Sequence, residues 1–450
     1  MKTLKFLNTK ISKYPVATLL AYGILLRILV VLCYNAITIF PDTQNYIDLA
    51  NTLLNFDVIN YSGERTPGFP TLIALAGGNL YFTVFFQLIL GLLAMYLMYD
   101  FFKLKSQDIP FAFWCSIITT SFIYVIFYEF AILTESLTYF MLTLTFWFIE
   151  KFHILKLSAS IKHYFILSLI LGCLYLTRPM FIYIPIGLFL FIFVKHIKTN
   201  FRKAFLKPII IFLFPFISFY SWCSLNERNN GYFTSSWYFG INISQTATSF
   251  FEKAPDEDKL IRDIFVKHRA YIEANEPDYA YPMTVWYAYD ELLEKTQLSP
   301  PDLSNKLGEI SKKLFKKYPG LYLKQVGISW LHFWNARNAL IWNVDKFENR
   351  FIRRGLIGLW IYIQGNILIA IHFLFVLFAF KKIIQFFTSG FHLDSDLFLV
   401  AIVMGGSLAQ ALVTFGTNSR FAFPYLPLIV YFVFVNLYTL KKSYAKRTSS

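Results

Sequence analysis

Six residues have the types and settings that acid–base or phosphate chemistry needs. Asp42 opens the run Pro41-Asp42-Thr43-Gln44-Asn45-Tyr46, and Glu64 and Arg65 sit in Ser62-Gly63-Glu64-Arg65-Thr66-Pro67-Gly68. Glu135 follows Leu133-Thr134, Arg178 precedes Pro179, and Arg420 follows Thr417-Asn418-Ser419. A carboxylate fixed at the rim of a bilayer can take a proton from an acceptor hydroxyl or hold a cation. A guanidinium group pairs with phosphate oxygens through two donors at once. Each residue also has a plainer explanation. Asp42 suits the N-cap of a short helix, Glu64 and Arg65 suit a solvated Pro-Gly turn, and arginines near helix ends often reach for the interface. For Asp42 the two explanations stand level on position alone. Convergence favours chemistry, because all six fall on one side of the membrane when the chain is laid out.

That layout follows from composition. Of 450 residues, 56% are hydrophobic and 20% aromatic while only 15% are charged, which excludes an ordinary soluble domain and a disordered chain. Apolar runs long enough to cross a bilayer predict about ten membrane helices, near 16–39, 80–102, 109–128, 133–150, 163–178, 180–197, 208–225, 356–380, 397–415 and 421–440. The first is too long, and lacks a small-residue cleavage site, to read as a removable signal, so it is expected to stay as an anchor. The net charge of +15 comes from 42 basic against 27 acidic residues. Its placement reads as topology. Lys2, Lys5, Lys10 and Lys13, then Lys103 and Lys105, Lys151, Lys195, Lys381 and Lys442 mark one side, whereas the other side's short loops hold Arg65, Arg178 and Arg420. By the positive-inside rule both termini are cytoplasmic and the six candidates face outward.

Three regions follow: residues 1–225 as an N-terminal membrane module with an outer loop at 41–79, 226–355 as an extracytoplasmic domain, and 356–450 as C-terminal membrane helices. The outer loop predicts a short helix beginning at Asp42. The outer domain predicts amphipathic helices over 257–274, 284–297 and 302–318, with Ser299-Pro300-Pro301 as a start signal. The stretch with Lys312, Lys313, Lys316 and Lys317 fits either the membrane surface or a solvated helix.

Other residues carry less. Arg27 lies fifteen positions before Asp42, roughly 22 Å along a helix, and is expected to be structural, held by another helix. The seven histidines show no HxxxH spacing, and neither GxSxG nor GxxxxGK[ST] occurs. The four cysteines lie in apolar segments without CxxC spacing.

The motifs together resemble bacterial GT-C membrane glycosyltransferases, relatives of protein O-mannosyltransferases and of the aminoarabinose transferase that modifies lipid A. The resemblance rests on Asp42, Tyr46, Gly63-Glu64-Arg65-Thr66-Pro67-Gly68, Leu133-Thr134-Glu135-Ser136-Leu137, Thr177-Arg178-Pro179 and Arg420 with Pro424 and Pro427, and extends to Asn230-Gly231-Tyr232-Phe233 and Tyr318-Pro319. It implies an all-α polytopic fold with a mainly helical outer domain. It also implies inverting transfer of a sugar from a polyprenyl-phosphate donor to a lipid, glycan or protein acceptor. By the same resemblance Asp42 and Glu64 are catalytic candidates, with a divalent cation at Asp42 and Glu64 left open, and Arg65 contacts the lipid phosphate. Glu135, Arg178 and Arg420 are placed around the substrate. The competing classes are a lipid-linked saccharide flippase, which should carry charges near the bilayer midplane, and an assembly protein working through its outer domain.

Overall fold

The computed structural model describes residues 11, 13–34, 36–59, 61–335, 346–388, 390–416 and 419–449. Lys2, Lys5 and Lys10 of the basic N-terminus, and Thr417 and Asn418, lie outside them. Every described element is helical apart from one isolated bridge between Thr38 and Ala131.

A helix stands at each of the ten expected places, and their lengths differ in a telling way. Among the described residues seven helices are long and apolar enough to cross a membrane, so the chain is a multi-span membrane protein. The helices Ile109–Thr120 and Ile123–Glu129 are apolar enough only when taken together, and they meet at 63°. A break inside hydrocarbon frees backbone donors that water cannot reach, and here the Ile123 N–H donates to Gln364 Oε1 at 2.8 Å. The two remaining segments, Glu135–Lys151 and Ile161–Thr177, have 17 residues each. Much of Glu135–Lys151 is buried among other helices, so its residues pack on protein, which removes the need for a uniformly apolar surface. Hydropathy alone cannot separate the two situations.

The basic connections gather at one end, where Lys105 pairs with Asp396 at 3.0 Å, Lys151 with Asp100 at 2.9 Å and Lys382 with Asp394 at 2.5 Å. The outer loop and the segment after Asn230 lie at the other end. There, Phe250, Phe251, Phe265, Leu303, Leu307 and Ile310 belong to a second hydrophobic core, separate from that of the membrane helices.

The helices that build this second core are Phe239–Ala247, Lys259–Asn275, Thr284–Thr296 and Pro300–Lys317. Ser299 caps the last, accepting from the Asp302 N–H at 3.3 Å. Leu303, Leu307, Ile310 and Leu314 turn inward, and the backbone passes so close to Gly240 that a Cβ there would lie 1.7 Å from the Ser304 carbonyl oxygen. The apolar face of this helix is used in this way, and Lys312, Lys313, Lys316 and Lys317 are exposed on the opposite side.

Arg27 is held by another helix, as expected. Its Nε and Nη2 donate to Glu129 at 2.8 and 2.5 Å, and both side chains are almost wholly buried, at 4% and 2% exposure. Gly91 makes room: a Cβ there would sit 1.9 Å from Glu129 Oε1.

Candidate active site

Backbone ties bring the distant candidates together. The segment leading to Asp42 runs beside the segment leading to Glu135. The Thr38 N–H donates to Phe130 O at 3.0 Å and the Ile132 N–H to Thr38 O at 3.1 Å. Thr43 Oγ1 then donates to Ile132 O at 3.0 Å. Two carboxylates 93 positions apart therefore enter one site from parallel strips of chain.

Arg178 arrives by close packing. It follows Ile161–Thr177, whose last turn lies under the helix Gly68–Leu75; a Cβ on Gly68 would fall 2.5 Å from the Thr177 nitrogen, so only glycine permits that approach. Arg420 is placed by the Tyr124 hydroxyl, which donates to Ser419 O at 3.1 Å. Arg65 is gripped through its own backbone, since its N–H donates to the Tyr61 hydroxyl at 2.6 Å. The preceding turn needs Gly63 for its φ of +84°.

The five side chains form one alternating ionic chain. Arg65 Nη2 donates to Asp42 Oδ1 at 2.8 Å, and Arg420 Nη1 to Asp42 Oδ2 at 3.0 Å. Arg420 Nε also donates to Glu135 Oε1, which accepts from Arg178 Nη2 at 3.1 Å as well. Three guanidinium groups face two carboxylates, leaving one positive charge over. Arg65 Nε and Arg178 Nη1 are buried with no partner among the described residues. Buried donors of this kind are costly unless something accepts from them. Glu135 is fully buried, whereas a third of the Asp42 side chain, 34%, remains accessible, so the network opens on the Asp42 side.

The geometry does not give Asp42 the bond that its plainer reading, as a helix cap, requires. Asp42 occupies the N-cap position of Thr43–Leu54, yet its side chain makes no capping hydrogen bond; both oxygens go to arginines. Burial pushes its carboxyl upward, but Arg420 and Arg65 more than reverse this and hold it at about 2. Burial likewise works against the Arg65 charge, and Tyr46 and Asp42 beside it raise its pKa above the ordinary value. The Arg65 guanidinium lies between two rings, Tyr46 at 5.0 Å and Tyr238 at 4.9 Å. Tyr238 belongs to the outer segment and accepts from Asn45 Nδ2 at 3.2 Å. Sequence reasoning had no signal for Tyr238, which is 173 positions from Arg65.

Glu64 stands apart from the network. Its Oε2 accepts from Ser62 Oγ at 2.6 Å, and its backbone carbonyl accepts from Ser236 Oγ at 2.6 Å. A divalent cation shared by Asp42 and Glu64 does not fit this arrangement. Both Asp42 oxygens already accept from guanidinium groups, three arginines would repel a dication, and no cluster of three His, Cys, Asp or Glu side chains suited to a metal occurs among the described residues.

No family model matches the chain, and no curated protein matches it. Among solved structures it is similar to the archaeal oligosaccharyltransferase AglB from Archaeoglobus fulgidus, determined in complex with an inhibitory peptide and a dolichol-phosphate. The likeness has 12% identity and a TM-score of 0.48, covering 97% of this chain and 52% of that one. This chain thus spans about half the length of that protein. Its chemistry has to be read from the site's own residues.

Proposed function

We propose that the protein is an inverting glycosyltransferase that moves a sugar from a polyprenyl-phosphate donor to a hydroxyl-bearing lipid, glycan or protein on the outer face of the membrane. One observation supports this above the others: an ionic chain with surplus positive charge and two unpartnered guanidinium donors, beside a partly open carboxylate. Such a site has donors ready for an anion and an acid group next to them. A lipid phosphate fits the donors, and the resemblance to GT-C transferases points the same way.

In the proposed reaction the acceptor oxygen attacks the anomeric carbon from the side opposite the phosphate. The carbon–oxygen bond to phosphate breaks and its electron pair stays on the phosphate, whose added charge Arg65, Arg178 and Arg420 stabilise in a poorly hydrated site. The acceptor's proton goes to Asp42. A carboxylate held at about 2 is a weak base, so the donor itself must prepare it. When phosphate takes up Arg65 and Arg420, their hold on Asp42 slackens and its basicity rises toward that of an ordinary carboxylate. No step passes through a metal ion.

The test is binding of sugar-free polyprenyl phosphate to purified protein in micelles, followed by transfer assays with polyprenyl-phosphate sugars. Arg420→Ala is expected to weaken phosphate binding about tenfold to a hundredfold, the loss of a charge-assisted contact. Wild-type phosphate affinity in a folded Arg420→Ala variant would remove the lipid phosphate from the proposal.

A further inference from the structure

Beyond the ionic chain, rings continue outward with an unused carboxylate beside them. Arg65 touches Tyr238; Trp286 meets Tyr238 edge-on at 5.5 Å and 89°, and Tyr289 lies 5.7 Å from Trp286. Trp286 and Tyr289 stand three positions apart on Thr284–Thr296 and so share a face. We propose that Tyr238, Trp286 and Tyr289, together with Glu64, form a subsite for a pyranose ring.

The commonest reason for rings at a core's edge is packing, and these three do border the second core. Two observations point beyond it. The packing face of the same helix is supplied by Val285, Ala288 and Leu292, all at 0% exposure, while Trp286 and Tyr289 are only partly buried. Glu64 also leaves Oε1 without a partner among the described residues, its other oxygen being engaged by Ser62. Its backbone carbonyl accepts from Ser236 Oγ at 2.6 Å and the Trp237 N–H donates to Gly63 O at 3.3 Å, which sets Glu64 beside the segment that carries Tyr238. Partly open rings next to a free carboxylate match what a sugar presents. The C–H groups on one face of a pyranose are slightly positive and suit the negative face of an aromatic ring, and its hydroxyls donate to a carboxylate oxygen. Position fits as well: a phosphate held by Arg65 would have its first sugar beside Tyr238. Only this last step rests on the proposed transferase reading.

The ring could belong to the donor or to the acceptor. Saturation-transfer NMR on the full-length protein in detergent micelles tests the subsite without turnover, with the methyl glycosides of glucose, mannose, galactose and N-acetylglucosamine as probes. At least one probe should receive saturation through its ring C–H groups. That signal should fall about fivefold in Trp286→Ala and in Tyr289→Ala, and persist in Trp286→Phe, with thermal unfolding unchanged. No saturation from any probe, or equal saturation in both Ala variants, overturns the subsite. In a transfer assay, a raised KM for the donor in Trp286→Ala assigns the subsite to the transferred sugar, and a raised KM for the acceptor assigns it to the acceptor. Glycoside binding by a protein that ignores polyprenyl phosphate would sink the transferase reading and keep the subsite; phosphate binding without glycoside binding would do the reverse.

Discussion

Two ionic groups among the membrane helices and the loops beside them are built on opposite plans. Arg27 and Glu129 are matched one to one, joined by two parallel bonds, and sealed from solvent. The chain from Arg65 through Asp42, Arg420 and Glu135 to Arg178 has more donors than acceptors and an open side. A closed pair has nothing left to offer a ligand. An unbalanced network holds its members in place and still keeps capacity in reserve.

The largest expected effect comes from breaking the closed pair. Glu129→Ala leaves Arg27 charged in a dry site, which typically costs about 3–5 kcal/mol. The variant should fail to accumulate or should unfold well below the wild type in thermal scans. Replacing both partners together, as Arg27→Met with Glu129→Leu, should recover much of that stability, because the lone buried charge is gone. A single Glu129→Ala variant of normal stability would show that the pair is not a closed structural unit.

Asp42→Asn should do the opposite: keep the fold and lose the chemistry. Asn caps a helix as well as Asp, and the cap bond is absent in any case. Transfer should fall at least about a hundredfold, the usual contribution of a positioned base. Polyprenyl phosphate should meanwhile bind more tightly, since Arg65 and Arg420 lose their competitor. Weaker phosphate binding in this variant would contradict the competition between Asp42 and the donor. The pH dependence has a definite sign too. With the carboxyl depressed from 3.8 to about 2, the stability it contributes is complete above its ordinary value and is lost as pH falls through about 2. Wild type and Asp42→Asn should therefore show the same pH dependence of melting between pH 5 and 8, and part only in acid.

How much of this the sequence showed depends on range. The helices, the outer loop's short helix and the lysine-marked end were legible because each is a local pattern of about twenty residues or fewer. The gathering of Asp42, Arg65, Glu135, Arg178 and Arg420 was legible only as membership of one side. Pairings came from contacts no local pattern encodes: Glu129 finds Arg27 across 102 positions, and Tyr238 finds Arg65 across 173. Glu64 and Arg65 read as an adjoining pair, yet here one faces Ser62 while the other faces Asp42.

Arg65 sharpens the comparison at intermediate size. Arg65→Ala should weaken polyprenyl phosphate binding about tenfold to a hundredfold with the fold intact. Arg65→Lys should recover only part, because a point charge reproduces neither the forked donors nor the stacking between two rings. Full recovery by lysine would reduce Arg65 to a source of net charge.

The smallest effect tests whether the outer segment belongs to the network at all. Tyr238 offers Arg65 a ring face and accepts from Asn45 through its hydroxyl. A cation–π contact contributes roughly 0.5–1 kcal/mol where partly exposed, so Tyr238→Leu should weaken phosphate binding by about twofold to fivefold. Tyr238→Phe keeps the ring face and loses the hydroxyl. If the ring acts by orienting Arg65, Phe should bind phosphate as the wild type does, whereas if the Asn45 bond is what matters, Phe and Leu should be equally impaired. The decisive control is the same pair of changes in an Arg65→Ala background, where a ring that works through Arg65 has nothing left to orient. An undiminished effect of Tyr238→Leu there would mean that Tyr238 touches the ligand itself, and the outer segment would then contribute a contact of its own to the site.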